Sequence, residues 1–448
     1  MQTPDQARDL AQDLVSRAMA AGATAADAVF ACDASTDVQM RLGALEDVQR
    51  SESASIGLRV FHGKQSASVS GADVSPQGLA TLAERAVAMA RLAPEDAYAG
   101  LAPEERLMRG PLPDLELDDG GDPDPALLRE LALACEDAAR AVPGVTNSEG
   151  GSASAVRSVM ALATSHGFCG SYGGSRYGVA ASVLAARDGQ MERDSASHST
   201  RFLADLESAE DIGRRAGERA VERLGTGKIE SGPMPVVYDR RAGGSLLGPL
   251  LGAISGSAIA RKTSFLLDRR GQPVFDSSVS IIDDPHRRRG QRSRAFDGEG
   301  LPTAPWRIID QGVLSGWMMD SASARQLGEA PTGHAARGVS GAPSTGSSNV
   351  HMEAGTQSPE ALMADIKLGL YVTQLIGMGV NGVTGDYSRG ATGFIIRDGQ
   401  LAEPISEITI AGNLKDMFAA LIPADDLEFR YGVNVPTLRI DGMVVASS

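Results

Sequence analysis

Along the first twenty residues, apolar side chains return every three or four positions, so Ala7, Leu10, Leu14 and Ala18 would share one helical face. Thr3 stands where a side-chain cap is needed, Pro4 suits the first helical position, and Gly22 ends the pattern. Short strand-like runs follow at 28–32, 38–42, 56–62 and 65–70, and Ile56, Leu58 and Val60 alternate as a half-buried strand requires. Ser75 and Pro76 then open a second helix, predicted to turn Leu79, Leu82, Ala83, Ala86 and Met89 toward a core.

Residues 94–125 interrupt this order with six prolines and ten acidic residues against Arg106 and Arg109. The segment reads as an extended, solvated connection. Beyond it the order returns: a helix from Asp124–Pro125 to about Ala141, several strands between Val145 and Thr200, and a helix over roughly 209–224. Two rounds of helix, strands and helix suggest a duplicated unit, although the residues themselves do not visibly repeat. Residues 225–235 read as a linker, and the rest is rich in glycine, turns and short strands. The expected fold class is therefore α+β. An N-terminal α+β domain at 1–225, an antiparallel sheet with helices interrupted by the 94–125 connection, precedes a largely β C-terminal domain at 233–448.

Composition narrows the functions available. The 448 residues carry a formal charge of −15 and only 4% aromatics. A duplex-DNA binder needs a basic footprint, and a single-strand binder needs stacking platforms, so no nucleic-acid partner is expected. Cys32, Cys135 and Cys169 are odd in number and widely spaced, which implies no disulfide framework and points to the cytoplasm. The N-terminus lacks the basic start and apolar run of a signal peptide. The longest uncharged stretch, 242–260, holds Pro249, five glycines and three serines, so no membrane span is expected either.

Familiar catalytic signatures are missing or incomplete. Gly225–Lys228 lacks the first glycine and the closing Ser/Thr of a phosphate loop. Asp386-Tyr387-Ser388-Arg389-Gly390 departs from a nucleophile elbow where Asp386 replaces glycine. His62, His166, His198, His286, His334 and His351 show no metal-binding spacing, and read as hydrogen-bonded or surface groups. Five arginines between Arg287 and Arg294 could meet phosphate or an acidic partner, or be neutralised by the acidic connection. Gly244, Gly248, Gly252 and Gly256 recur every four residues. Each helical glycine costs about 1 kcal/mol relative to alanine, so that bare face is expected to pack closely against a neighbouring element or a peptide.

Two C-terminal segments carry a family resemblance. Gly382-Val-Thr-Gly-Asp386-Tyr-Ser-Arg-Gly-Ala-Thr-Gly-Phe394 and Glu407-Ile-Thr-Ile-Ala-Gly-Asn-Leu-Lys-Asp416-Met-Phe418 resemble motifs of the TldD/PmbA family. Ser264-Phe265, Phe296–Gly300, Thr332-Gly-His-Ala335 and Pro436–Asp441 support it, over about 233–448 and more weakly over 38–71. Within the family the chain looks like the PmbA (TldE) branch. The TldD branch is a zinc metalloprotease with a helical HExxxH motif and a late cysteine ligand. Matching the flanks places Gly248 at the first histidine, Pro249 at the glutamate and Ala253 at the second histidine, and no cysteine follows Cys169.

The resemblance thus implies no catalytic residue, metal or cofactor in this chain, with zinc expected in a TldD-like catalytic partner. The pair would act on unfolded peptides, for maturation or turnover. Gly385, Asp386, Tyr387, Ser388 and Arg389 are the candidate substrate or interface contact, the other reading being a sharp turn held by Asp and Ser side chains. Two alternatives stand beside this: an independent hydrolase with an unrecognised site, for which His334 and His351 are the pair to test, and a non-enzymatic binding or regulatory protein.

Overall fold

The computed structural model describes residues 1–225 and 227–447; Thr226, inside the expected linker, lies outside them. The N-terminal half is one six-stranded antiparallel sheet with four helices. The chain runs α1 (Pro4–Ala20), β1 (Ala25–Arg41), β2 (Ala44–His62), β3 (Gln65–Gly71), α2 (Pro76–Leu92), α3 (Pro125–Arg140), β4 (Val145–Thr164), β5 (Cys169–Arg187), β6 (Gln190–Thr200) and α4 (Ala209–Glu222). Thr3 and Gln6 form a reciprocal capping box on α1, while Ser75, Asp124 and Ser208 cap the other three helices.

The strand order β3-β2-β1-β4-β5-β6 sets two three-stranded meanders back to back, β1 against β4. The duplication suggested by element order is therefore present as architecture. Two expectations need correction. The runs at 28–32 and 38–42 are parts of a single 17-residue strand, and β2 begins at Ala44 through a polar stretch that carries no burial signal. Cross-strand pairing from Arg41↔Ala44 to Ala25↔Phe61 supplies there what hydrophobic alternation does not. Met89 is also 46% exposed, and Val87 and Ala90 complete the buried face of α2 instead.

Ala28, Phe30 and Cys32 of β1 pack with α1 and α2, and Val38 and Met40 of the same strand face pack with α3 and α4. All four helices thus cover one side of the sheet. Val29, on the other side, joins Leu162, Phe168, Phe296 and Leu107, Leu115 and Leu117 of the connection. Residues 94–124 hold no strand or α-helix, but the connection is not merely solvated: its leucines fill the seam between the sheet and the C-terminal half.

The C-terminal half is built on β7 (Gly232–Tyr238), α5 (Leu247–Ala253), α6 (Gly256–Ala260), β8 (Leu368–Ile376), β9 (Asp386–Arg397), β10 (Gln400–Asn413), β11 (Leu421–Pro423) and β12 (Leu438–Ser447). Strands pair in the order β10-β9-β8-β7-β12-β11, and β10 also pairs with β12 from Ile408↔Ser447 to Ala411↔Val444. That last ladder closes a barrel and pairs the edge that β10 would otherwise leave free. β7 starts inside the expected 225–235 linker because Gly232, Pro233 and Met234 are needed for the β12 ladder. A smaller five-stranded sheet, with 281–283 at its centre, lies among the long connections.

Candidate functional site

Leu247, Leu250, Ala253 and Ile254 anchor α5 in the barrel-side core. The helix then breaks: Ser255 donates its hydroxyl to Gly252 O at 2.8 Å and caps α6 instead. The four glycines therefore do not form one packed helical stripe. Gly248 and Gly252 are exposed, and a methyl group built on either meets nothing within 4 Å. Only Gly256 is held by close packing, since a methyl there would come within 2.4 Å of Ser323 Oγ. Contrary to expectation, the chain itself leaves the bare face of α5 open.

The segment 385–389 lies nearby in the chain of contacts. Ser264 donates its hydroxyl to Ala253 O at 2.6 Å, and the next residue, Phe265, donates its backbone N–H to Gly382 O at 2.9 Å. Gly385 needs its φ of +86°, with Phe265 and Asn413 beneath it. Asp386 accepts from Thr384 Oγ1 at 2.6 Å and from Asn413 Nδ2 at 3.1 Å, and these bonds hold its carboxyl below the usual range. The segment is the first turn-to-strand step of β9 rather than a loop, with Asp386 and Ser388 exposed and Tyr387 buried. The Tyr387 hydroxyl is buried beside Tyr238 and Arg389.

Zinc needs nitrogen, sulfur or oxygen donors. Gly248, Pro249 and Ala253 supply none; Ala253 moreover faces the core at 5% exposure while Gly248 faces out. Cys32 and Cys135 are buried in the N-terminal layers, and Cys169 contacts the carbonyl of Arg8. Among the described residues, no group of three or more His, Cys, Asp or Glu could hold a metal ion. The residues present do not fit the family's metal.

His62 is exposed, and the other histidines are engaged locally. His166 bridges Thr164 and the carbonyl of Ala102, His198 accepts from the Glu207 backbone, and His286 meets Thr303. His334 lies 2.8 Å from Thr332 Oγ1 and 3.5 Å from Asp283, and burial lowers its pKa. This resembles a nucleophile–base–acid chain, but the Thr332 hydroxyl also accepts the Met319 N–H at 2.8 Å and so braces a turn. His351 packs edge-on against Phe429.

Part of the arginine run meets partners within the chain. Arg289 pairs with Glu116 of the acidic connection at 2.7 Å and with Asp205 at 3.0 Å, and Arg288 also reaches Glu116. Arg287 lies over the Phe429 ring, while Arg294 donates to the carbonyls of Ala335 and Gly346. Arg288 and Arg289 are thus the members of the run that carboxylates neutralise, and Arg292 is exposed. Sequence reading missed a different polar cluster, in which Asp27 accepts from both Arg59 and Arg337 and Glu299 accepts from Ser321, all buried. Burial, reinforced by nearby Asp297, pushes the Glu299 carboxyl up to about 7. Only the alternation Asp27, Val29 against Ala28, Phe30 hinted that β1 has two buried faces.

Comparison with known proteins accounts for nearly the whole chain. Residues 27–90, 118–224 and 231–447 match domain 1, the central domain and the C-terminal domain of the PmbA/TldA metallopeptidases. The chain is 36% identical over 411 residues to Metalloprotease PmbA of Escherichia coli O157:H7, covering 91% of this chain and 89% of that one. It is 34% identical to the Metalloprotease PmbA homolog of Haemophilus influenzae, covering 97% and 94%. In structure it is similar to a proposed modulator of DNA gyrase from Bacteroides thetaiotaomicron, at 27% identity and TM-score 0.92 over the full length of both chains. TldE from Thermococcus kodakarensis shares the fold at 20% identity and TM-score 0.87, over 98% of this chain and 100% of that one. On three consecutive domain matches and relatives aligned over most of their length, the chain belongs to the TldD/PmbA family.

Proposed function

We propose that this chain is the non-catalytic subunit of a cytoplasmic TldD/TldE-type zinc metalloprotease that degrades or matures unfolded peptides. The observation that carries the reading is α5. The positions that the resemblance matches to the metal motif are Gly248, Pro249 and Ala253, which carry no donor, and the glycine face of the helix is open. A TldD-like partner would bring zinc, glutamate and water, and this subunit would enclose the cleft. Enclosure excludes folded proteins and strengthens electrostatics at the metal. An extended peptide could add to a strand edge, with backbone bonds giving low sequence preference. The exposed groups of Asp386 and Ser388 at the start of β9 suit a contact with peptide or partner, joined to α5 through Ser264 and Phe265.

The test is metal analysis and cleavage of an unfolded peptide by the isolated chain, by a TldD-like protein, and by the two co-expressed. The reading expects one zinc per heterodimer, carried by the partner. Stoichiometric zinc with cleavage by this chain alone would overturn it. Under the independent-hydrolase alternative, replacing His334 or His351 would abolish that cleavage.

A further inference from the structure

A second feature owes nothing to the metalloprotease reading. Between the N-terminal sheet and the barrel lies a polar cavity of about 260 Å³ lined by Arg215, Arg219, Arg240, Arg241 and Arg430. These come from three places in the chain: one face of α4 at i, i+4 spacing, the short helical turn 240–243 that follows β7, and the loop before 433–434.

The carboxylates around the cavity do not use all the donors. Glu207 takes Arg215 at 2.8 Å and Arg430 Nη1 at 2.5 Å, and Glu428 takes Arg240 at 2.7 Å and the same Arg430 Nη1 at 3.0 Å. Asp239 lines the wall, and Asp194 behind it accepts from Arg241 at 3.3 Å, as Asp426 faces Arg240 at 3.6 Å. Among the described residues Arg430 Nη2 nevertheless stays buried with no hydrogen-bond partner, and Arg241 Nε has only Asp239, at 3.7 Å. Arg219 donates only to the carbonyl of Ser195, at 3.2 Å, and meets no carboxylate within 4 Å among the described residues. Leaving a buried guanidinium donor unmade is costly, and an anion is the group that would satisfy several at once.

We propose that this cavity is a binding site for a small phosphate-bearing anion, held by Arg219, Arg241 and Arg430 across the junction of α4 with the barrel. Guanidinium groups converging from three chain segments suit a tetrahedral anion, whose oxygens point in as many directions, better than a planar carboxylate with two. Bound there, the anion ties the N-terminal sheet to the C-terminal half.

The experiment is calorimetric titration of the full chain with inorganic phosphate at constant ionic strength. Saturable one-to-one binding is expected. Arg219→Gln, which breaks no ion pair, is expected to weaken it by about tenfold while leaving the circular dichroism unchanged. Arg240→Gln is expected to weaken it less, and Arg214→Gln, on the solvent side of α4, not at all. The proposal is overturned by an absence of saturable binding, by an Arg219→Gln titration equal to the parent, or by malate displacing phosphate with equal affinity.

Discussion

Arg337 of the C-terminal half places Nη2 2.9 Å from Asp27 Oδ1 of β1, while Arg59 of β2 holds the other oxygen of the same carboxylate, its Nε at 2.7 Å. None of the three is more than 8% exposed. One carboxylate therefore fastens the sheet face opposite the helices to a segment 310 residues away.

Replacing Asp27 leaves two arginines buried without their counter-charge. Asp27→Asn is expected to lower stability by about 3–5 kcal/mol, the range for breaking one partner out of a buried ion pair. Urea denaturation of the purified chain measures it, and a loss under 1 kcal/mol would show that water reaches the cluster.

The Glu299 carboxyl adds a pH dependence of definite sign. Its value near 7 lies above the 4.5 of an unperturbed glutamate, so the folded chain binds the proton more tightly than the unfolded one. Its contribution is complete below about 4.5 and is lost as pH rises toward 7, by up to about 3 kcal/mol. Glu299→Gln keeps an acceptor for Ser321 and should remove this decline. The check is the difference in stability between variant and parent at pH 5 and pH 8, expected to grow in favour of the variant at the higher pH.

The open face of α5 separates assembly from folding. Gly252→Trp is expected to keep the melting temperature of the isolated chain, because Gly252 is exposed and a Cβ built there meets nothing within 4 Å. On the proposed function it should weaken association with a TldD-like subunit by at least about tenfold, as a bulky group at a packed interface core does. Analytical ultracentrifugation of the mixed subunits reads this out, and unaltered pairing would move the interface elsewhere.

The seam formed by the acidic connection depends on Glu116. Its carboxylate joins Arg288 and Arg289 between the buried Leu115 and Leu117. Glu116→Ala is expected to cost only about 1 kcal/mol globally, because the pairs are partly exposed. Locally it should raise the rate of protease cleavage within 94–125 several-fold, measured by limited trypsin digestion at Arg106 and Arg109.

What the sequence determined by itself was local and periodic. Caps at Thr3, Ser75 and Asp124, the spacing of Leu79, Leu82 and Ala86, and the alternation of Ile56, Leu58 and Val60 act within a turn or a strand, so they can be read without a fold. That Gly248, Pro249 and Ala253 carry no metal-binding side chain is likewise written in the residue type. Tertiary structure decided the rest. The polar half of β2 is a strand only because β1 pairs with it, and the leucines of the connection are buried only because the barrel half covers them. Whether Gly248 and Gly252 pack or stand open depends on which elements reach them, and no spacing within the chain encodes that. The clusters around Asp27 and Arg219 are likewise assembled from residues far apart in sequence. Burial and charge pairing across such separations come from the whole folded chain, and neighbouring residues carry no trace of them.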